Sequence, residues 1–150
     1  MVNEGNPIPS VRPDWDEFFL GVAQAFSRRA DCRRRQVGAV VVGPDHRVIS
    51  LGYNGAPSRH PGCLAGNCPR GLLSTEEVAA YSDYSSGPGR CIAVHAEANA
   101  LLYARTDCSG ATCYVTAKPC PGCRILLMGA GVSRAVWLDG EEDYTILREE

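Results

Sequence analysis

Apolar and polar residues alternate along the chain in blocks whose spacing predicts a series of helices and strands. The first block begins behind Asp14, a residue type that caps helices well, and predicts a helix that runs to about Arg29. Its apolar positions recur at helical spacing and form a stripe that we expect to face the core: Phe18, Val22, Ala25 and Phe26.

Two short apolar runs follow and predict a β-hairpin. Residues 37–42 are a β-branched run that ends at Gly43-Pro44-Asp45-His46, and residues 47–52 return as an antiparallel strand. His46 is expected at the surface because it lies in the turn. Residues 56–91 are rich in Gly, Pro, Ser and Cys, which indicates an insertion with one short helix over 74–80, capped by Ser74.

The second half of the chain alternates again between helices and strands. Its first helix, over 95–105, is apolar almost all round, which predicts packing against a sheet and cover on the other side. We then predict a strand over 112–116, a helix over 120–129, a strand over 134–138 and a final short helix over 143–148. The whole order predicts an α/β fold of three layers (αβα), with a mixed sheet of four to five strands and helices on both faces.

Length and charge favour one small domain that acts on a small substrate. A chain of 150 residues is a single domain by the usual size range and can bury ~70% of its unfolded surface. Its 17 acidic and 15 basic residues give a net charge of -2, so we expect no broad basic surface for a nucleic acid polymer.

The number of cysteines is informative about metal binding and about the cellular compartment. Eight cysteines, with no apolar signal segment over residues 1–13, favour metal binding in a reducing compartment over disulfides. No apolar run has the length of a membrane helix, so we expect no membrane association. A soluble, cytoplasmic protein is predicted.

The candidate chemistry lies in two short motifs. His95-Ala96-Glu97 is followed after 21 residues by Pro119-Cys120-Pro121-Gly122-Cys123. Cys120 and Cys123 are spaced i, i+3 at a predicted helix start, where Pro121 suits the first position and both sulfurs can face one point. One imidazole and two thiolates would hold zinc and leave a fourth position for water, whose pKa the metal lowers toward ~7.

Glu97 completes the pattern of a hydrolytic deaminase. Zinc deaminases that act on nucleobases combine such ligands with a carboxylate that is a general acid and base and not a ligand. The spacing of His95 and Glu97 would separate their side chains inside a helix, but at a first turn both can reach one site. A redox Cys-x-x-Cys pair, half of a structural zinc site and a zinc-stabilised binding module without catalysis are the alternatives, and none of them needs Glu97.

Further segments resemble one family closely. Gly52-Tyr53-Asn54-Gly55, the run His95-Ala96-Glu97-Ala98-Asn99-Ala100 and Tyr114-Val115-Thr116 before Pro119-Cys120 are similar to the deoxycytidylate (dCMP) deaminases of the cytidine deaminase superfamily. The resemblance covers roughly residues 15–138. It implies a cytidine-deaminase-like fold and the hydrolysis of dCMP to dUMP and ammonia.

The resemblance also implies roles for particular residues. Glu97 would move a proton from water to the pyrimidine N3 and then protonate the departing amine. The backbone N–H of Ala96 would contact the base carbonyl, and Asn54 would bind the sugar or base, although Asn-Gly is also a common turn. Tyr103 either lines the pocket or packs in the core, and we favour packing.

Arginines are the candidates for the phosphate site, since their guanidinium groups bind phosphate in a bidentate manner. Arg105 alternatively interacts with the C-terminal end of its helix. The sequence does not choose among them: Arg33, Arg34, Arg35, Arg59 and Arg105.

In several deaminases of this family a second, structural zinc ties the insertion to the first helix. Cys32, Cys63, Cys68 and Cys91 stand in the segments that would supply it here, and His60 could replace one of them. A long loop poor in apolar residues gains much from such a cross-link. Unlinked thiols are the alternative. Cys108 and Cys113 are expected to be ordinary, partly buried thiols.

The resemblance finally implies a homo-oligomer, a hexamer or a dimer. Activity would rise with dCTP and fall with dTTP, which would bind near Gly52, Tyr53, Asn54 and Gly55, with magnesium accompanying the nucleotide effector. A modified dCMP, CMP, a free nucleoside or base, and the adenosine of a tRNA remain alternative substrates, the last disfavoured by charge. The deaminase part of a riboflavin pathway enzyme usually comes fused to a reductase, for which we expect no room.

Overall fold

The computed structural model describes residues 11–79, 82–139 and 143–148, and its middle layer is a five-stranded mixed sheet. The elements are α1 (Trp15–Ser27), β1 (Gly38–Val42), β2 (Val48–Tyr53), a 3-10 turn (Arg70–Leu72), α2 (Ala96–Leu102), β3 (Thr112–Val115), α3 (Pro121–Gly129), β4 (Arg134–Asp139) and β5 (Asp143–Arg148). The strand order is β2-β1-β3-β4-β5.

One parallel pair stands among antiparallel ones. β3 and β4 are parallel and are joined by α3, whereas β1 pairs antiparallel with β2 and β3, and β4 pairs antiparallel with β5. A strand, a helix and a parallel strand form the βαβ unit that requires helical cover on the sheet. The α/β class with a mixed sheet is therefore confirmed.

Helices cover both faces of the sheet, as the sequence predicts. On one face, Phe19, Leu20 and Ala23 of α1 pack in one core cluster with residues of β1, β3 and β4. On the other face, α2 and α3 contribute Ala96, Ala100 and Leu127 to a second cluster. β1 is buried at all five positions because both of its faces are covered, which explains its unbroken apolar run.

Two glycines allow helices to lie very close to the sheet. A Cβ at Gly38 would overlap with the backbone of α1 at Ala23 and Ser27. A Cβ at Gly52 would overlap with the backbone of α2 at Ala96 and Ala100. Gly52, which we assigned to an effector loop, thus sets the distance between β2 and the helix that carries Glu97.

The buried stripe of α1 differs from the predicted one. Asp14 caps the helix and accepts a hydrogen bond from the N–H of Glu17, as expected. Phe18, however, is 49% exposed, and Ala25 is exposed, while Val22 and Phe26 are only partly buried. Apolar residues flank both sides of this helix, so its periodicity allows two stripes, and contacts with the sheet select one.

Two predicted helices are absent from the described residues. Residues 143–148 form β5 because their backbone pairs with the edge of β4, and a short segment with β-branched residues suits that pairing. At Ser74 and Glu77, reciprocal side-chain hydrogen bonds of a capping box close one turn, but no helix follows. Ala80, the end of that predicted helix, lies outside the described residues.

The helix α2 is also shorter than predicted and is not covered on its outer side. It ends at Leu102, which is 70% exposed, and Tyr103 after it is 59% exposed. Our expectation that Tyr103 packs in the core is therefore wrong for the single chain. Residues 1–10, which belong to the polar N-terminal segment, lie outside the described part, and no described helix is long and apolar enough to cross a membrane.

Candidate active site

The N-terminal ends of α2 and α3 meet, and each begins with a predicted metal ligand. His95 is the N-cap of α2 and Cys120 is the N-cap of α3, with Pro121 at the first helical position. Both caps have extended backbone conformations, so their side chains leave the helix axis. The sulfur of Cys120 also accepts a hydrogen bond from the N–H of Cys123.

Three donor atoms converge at this point. His95 Nδ1 lies 3.5 Å from Cys120 Sγ and 3.4 Å from Cys123 Sγ. Within residues 11–79, 82–139 and 143–148, this is the one group of three or more potential metal ligands whose atoms all lie within 4.8 Å of one another.

The geometry fits zinc. A nitrogen and a thiolate sulfur bound to one tetrahedral zinc ion lie about 3.5–3.6 Å apart, given bond lengths of about 2.0–2.1 and 2.3 Å. The observed separations between Nδ1 and the two sulfurs agree with that value. Three protein ligands of this kind leave one position for a water or substrate, as catalytic zinc sites require.

Glu97 is buried beside these ligands, with only 4% of its surface exposed. It stands in the first turn of α2, and the two-residue spacing is compatible with one site because His95 precedes the helix as its cap. Burial raises the pKa of the Glu97 carboxyl, although the nearby His95 and a hydrogen bond with Cys123 act in the opposite direction. A carboxyl whose pKa is raised accepts a proton more readily and is therefore suited to exchange protons.

Groups that become negatively charged lie close together at this site, and a bound cation would reduce the repulsion between them. Burial raises the pKa of the Cys123 thiol, and the neighbouring Glu97 and Cys120 raise it further. Burial also raises the pKa of the Cys120 thiol, but hydrogen bonds from Tyr84 and from the N–H of Cys123 outweigh it and lower the pKa overall. A divalent cation held by His95, Cys120 and Cys123 would stabilise the two thiolates and the neighbouring Glu97 carboxylate.

Sequence reasoning missed Tyr84, an insertion residue that reaches the site. Its ring centroid lies 5.3 Å from that of His95, with 42° between the planes. The hydrogen bond from its hydroxyl to Cys120, together with burial, raises the pKa of Tyr84 to about 12. The hydroxyl therefore stays protonated at neutral pH. A lone tyrosine in an aperiodic segment gives no signal by which the sequence could have identified it.

Asn54 and Ala96, the predicted substrate contacts, have different surroundings. The Asn54 side chain accepts a hydrogen bond from the N–H of Val37 and donates one to the carbonyl of Arg35, so it holds the loop before β1. At 8% exposure, it keeps one amide hydrogen and one oxygen lone pair for a ligand. Ala96 is the first residue of α2, so its N–H has no acceptor within the helix.

The candidate phosphate-binding arginines have different surroundings. Arg105 is exposed and follows the C-terminal end of α2, about 10 Å of helix away from His95 at the other end. Arg34 donates to the carbonyls of Arg70 and Leu73, so it ties the insertion to the segment after α1. Arg59 is exposed and has a left-handed backbone, with φ of 70°.

The four remaining insertion-linked cysteines are neighbours, but no three of their sulfurs lie within 4.8 Å of one another. The thiols of Cys63 and Cys68 interact, those of Cys68 and Cys91 interact, and Cys32 is close enough to affect the pKa of Cys63. Backbone N–H groups point at the sulfurs of Cys32, Cys63 and Cys91 at 3.4 Å, from Arg35, Arg33 and Ala93 respectively. His60 is instead exposed and its Nδ1 lies 3.1 Å from the carbonyl of Ser58.

The other two cysteines are more buried than expected. Cys113 is fully buried, and Cys108 is 7% exposed, both in the core cluster under α2 and α3. Burial raises the pKa of both thiols, so they remain neutral core residues.

A cleft of about 280 Å³ lies beside the Gly52–Gly55 segment. Asn99 of α2 donates a hydrogen bond to the carbonyl of Tyr53 at the cleft. Its lining includes Phe26, Tyr53, Ala56, Ser58, Asn99 and Tyr103.

A three-layer fold with a His/Cys/Cys site and a buried glutamate defines the class of nucleobase deaminases. The sequence matches the family described as the cytidine and deoxycytidylate deaminase zinc-binding region over residues 13–139. The chain belongs to this family of deaminases, which are hydrolases.

Individual relatives agree with this assignment. The chain is 56% identical to the deoxycytidylate deaminase of Mycobacterium phage D29 over 127 residues, which are 84% of this chain and 95% of that protein. It is 35% identical to the deoxycytidylate deaminase of Saccharomyces cerevisiae over 97% of its own length, but spans only 45% of that protein.

Among solved structures, the dCMP deaminase of cyanophage S-TIM5 in complex with dCMP and dUMP has a similar fold. The TM-score is 0.62 and the sequence identity 26%, over 85% of this chain and 82% of that chain. The two nucleotides in that complex, dCMP and dUMP, differ by one deamination.

Proposed function

We propose that this deaminase uses zinc to hydrolyse dCMP to dUMP and ammonia. The observation that carries the proposal is the convergence of His95 Nδ1 with the sulfurs of Cys120 and Cys123, beside the buried carboxylate of Glu97. The deoxycytidylate deaminases named above support the choice of nucleotide.

His95, Cys120 and Cys123 would hold the zinc ion. When bound, zinc supplies Lewis acidity, which makes a water molecule nucleophilic at neutral pH. Each of the three side chains is fixed by its place at a helix start, so the site needs little rearrangement to accept the metal. The N-terminal ends of both helices also favour the thiolate forms of the cysteines.

Glu97 would move the protons of the reaction. It takes a proton from the attacking water and delivers it to N3 of the cytosine ring, while the water oxygen forms a bond to C4. It then delivers the second water proton to the amino group, which leaves as ammonia when the C4–N bond breaks. Burial raises the pKa of Glu97 and thereby suits it to accept and return protons.

The backbone N–H of Ala96 would bind the base carbonyl, and the remaining hydrogen-bonding capacity of Asn54 would bind the sugar or base. For the phosphate, Arg33, Arg35 and Arg59 are favoured over Arg105, because Arg105 lies at the far end of α2. Arg34 is occupied by its bonds to the insertion.

Substrate preference tests the proposal directly. Deamination of dCMP, followed by ultraviolet absorbance, should exceed that of deoxycytidine, CMP and cytosine. If deoxycytidine or cytosine is preferred, the zinc chemistry stands but the nucleotide assignment is wrong. We also propose that dCTP and dTTP regulate the enzyme from the cleft beside Gly52, Tyr53, Asn54 and Gly55. Substrate saturation curves with dCTP and magnesium, and with dTTP, test whether these nucleotides change the activity.

Replacing Glu97 separates catalysis from metal binding. We predict that Glu97→Gln lowers kcat about 10²–10⁴-fold, because proton transfer is lost, while zinc content stays unchanged. Metal analysis and turnover on the same preparation measure both quantities. Near-normal turnover of the variant would remove Glu97 from the mechanism.

We also propose a structural zinc ion at Cys32, Cys63, Cys68 and Cys91. Burial raises the pKa of the Cys63 and Cys91 thiols, while the backbone N–H groups that point at their sulfurs act in the opposite direction and favour the thiolate, the form that binds zinc. Another backbone N–H, from Arg35, points at the sulfur of Cys32. The four residues come from the segment after α1 and from both ends of the insertion, so a metal here would cross-link the insertion to that segment.

Metal counting tests this second site. We predict two zinc ions per chain in freshly purified protein, and the loss of one in Cys63→Ser. Cys108→Ala removes a thiol outside both sites and should keep both ions. A single zinc per wild-type chain would exclude the structural site.

A cytoplasmic location remains a prediction. All eight cysteines are present as free thiols, and six of them are grouped in the two proposed metal sites, as suits a reducing compartment. Fractionation of cells that express the protein would test it.

A further inference from the structure

Asn99 stands in the middle of α2, where its residue type is unfavourable. Asparagine competes for backbone hydrogen bonds and suits a helix interior poorly, whereas the rest of α2 consists of Ala, Glu and Leu. Its side-chain nitrogen Nδ2 donates a hydrogen bond of 2.8 Å to the carbonyl of Tyr53, the last residue of β2. A side chain therefore connects two elements across 46 positions of the sequence.

This bond is one of three contacts that hold residues 53–55 against the start of α2. The N–H of Gly55 donates to the carbonyl of Val94 at 3.2 Å, and the N–H of Val94 donates back to the carbonyl of Gly55 at 2.7 Å. Val94 directly precedes His95. On the other side of the segment, Gly52 lies against the backbone of α2. Of these contacts, only the one from α2 to the last carbonyl of β2 is made by a polar side chain, so it can be removed alone.

The middle residue of this segment, Asn54, is the predicted contact for the sugar or base of the nucleotide. Its side chain accepts a hydrogen bond from the N–H of Val37 and donates one to the carbonyl of Arg35, so it is fixed from the side of β1. Asn99 fixes the chain just before it from the side of α2. The two attachments together set the position of Asn54 relative to Glu97.

We propose that Asn99 is a positioning residue for nucleotide binding, because its bond to Tyr53 holds Asn54 at the distance from α2 that the nucleotide requires. This inference rests on the proposed function, and in particular on the role of Asn54 in binding the sugar or base. Binding groups must be held within about 0.5 Å of the productive geometry, and a misplacement of about 1 Å can cost about 10²-fold. Loss of the bond should weaken nucleotide binding more than it slows the proton transfers of Glu97.

The test removes the bond and keeps the helix. Asn99→Ala does both, because alanine is the best helix former. Asn67→Ala is the matched control, since Asn67 Nδ2 donates a bond of 2.9 Å to the carbonyl of Pro61 within the insertion. We measure KM and kcat for dCMP, and by calorimetry the Kd of the product dUMP, whose binding involves no chemistry. Zinc content and urea unfolding are measured on the same preparations.

We expect Asn99→Ala to raise the KM for dCMP and the Kd of dUMP about 10-fold or more, with a much smaller change in kcat and the same zinc content. Asn67→Ala should match the wild type. If Asn99→Ala lowers kcat but leaves KM and Kd unchanged, less of the protein is folded and the inference is wrong. A wild-type protein that neither converts dCMP nor binds dUMP contradicts the proposed function, and this inference with it, so the two failures are distinguishable.

Asn99→Asp keeps the inference testable if Asn99→Ala does not fold. Aspartate has nearly the size of asparagine, but its carboxylate has no hydrogen to donate to the carbonyl of Tyr53. The two acceptor oxygens repel each other, so the Kd of dUMP should rise more than in Asn99→Ala. An unchanged Kd in Asn99→Asp would overturn the inference.

A double-mutant cycle on the Kd of dUMP tests whether Asn99 acts through Asn54. Asn54→Asp keeps an acceptor for the N–H of Val37 but has no amide hydrogen for the nucleotide, so it should itself weaken binding. Adding Asn99→Ala should then have little further effect. Additive effects of the two substitutions would show that they act independently and would overturn the inference.

Discussion

At the scale of single residues, the start of α2 explains how two side chains two positions apart serve one site. His95 is outside the helix as its cap, and Glu97 is inside its first turn. The cap directs the imidazole toward Cys120 and Cys123, while the turn buries the carboxylate next to them. A helix start thus places a metal ligand and a proton carrier at the same point.

Gly52 lets β2 lie close to the start of α2 because it has no side chain. We predict that Gly52→Ala lowers the free energy of unfolding by about 1–3 kcal/mol or more, because its Cβ would push β2 away from the backbone of α2. Urea unfolding measures the change. Catalytic activity should fall as well, since α2 carries His95 and Glu97.

Gly21 is the matched control for this substitution. It lies inside α1, and a Cβ there would meet no atom within 4 Å. We expect Gly21→Ala to raise the free energy of unfolding by about 0.5–1 kcal/mol, because alanine loses less conformational entropy in a helix. Equal effects of the two substitutions would mean that the β2–α2 contact is not tight.

At the scale of elements, a polar contact selects the face that α1 presents to the sheet. Asp16 accepts hydrogen bonds from the hydroxyl of Tyr114 on β3 and from the guanidinium group of Arg134 on β4. Residues three, four and seven positions later, Phe19, Leu20 and Ala23, share that face and are buried. Our prediction that Phe18 and Ala25 face the core was wrong because periodicity alone could not include this contact.

Asp16 should stabilise the protein in a pH-dependent way. Burial raises the pKa of its carboxyl, but the hydrogen bonds from Arg134 and Tyr114 outweigh burial and lower the pKa overall. The stabilisation is therefore complete above the unfolded-state pKa of about 3.9 and is lost as the pH falls through the lower pKa of the folded state.

We predict that Asp16→Asn lowers the free energy of unfolding by about 1–3 kcal/mol at neutral pH. Its difference from the wild type should shrink as the pH falls below about 4. Urea unfolding over this pH range measures both values. Glu17→Gln, which changes an exposed carboxylate in the same turn, is the control. A pH-independent difference for Asp16→Asn would contradict the assignment.

At the scale of the whole molecule, apolar residues remain uncovered on the outer side of α2 and α3. Leu102 and Ile125 are both 70% exposed, Met128 is 60% exposed, Tyr103 is 59% exposed and Leu126 is 50% exposed. A patch of this kind typically marks a contact with another molecule. It supports our proposal of a homo-oligomer, a hexamer or a dimer.

Sedimentation tests the oligomer. We predict that the wild-type protein has a mass several times the 16.1 kDa of one chain, and that Ile125→Glu shifts it toward the monomer because the charge cannot be buried between subunits. Leu64→Glu changes a residue of similar exposure in the insertion and should leave the mass unchanged. A monomeric wild type would contradict the proposal.

The sequence by itself determined the family of this protein, most of its element order and the residues of its candidate metal centre. Each of these depends on local patterns: apolar periodicity predicts elements, and the spacing of His95, Glu97, Cys120 and Cys123 requires only two helix starts to meet. Such short-range patterns can be recognised without knowledge of the rest of the fold.

Only the tertiary structure decided the features that depend on contacts between distant segments. Residues 143–148 form a strand because they pair with β4. The side chains of Asn54 and Arg34 form hydrogen bonds with the backbone of neighbouring loops. It also brought Tyr84 to His95 from an insertion that has no periodicity. The physical reason is the same in each case: the free energy of these contacts comes from partners far away in the sequence, which a local pattern does not contain.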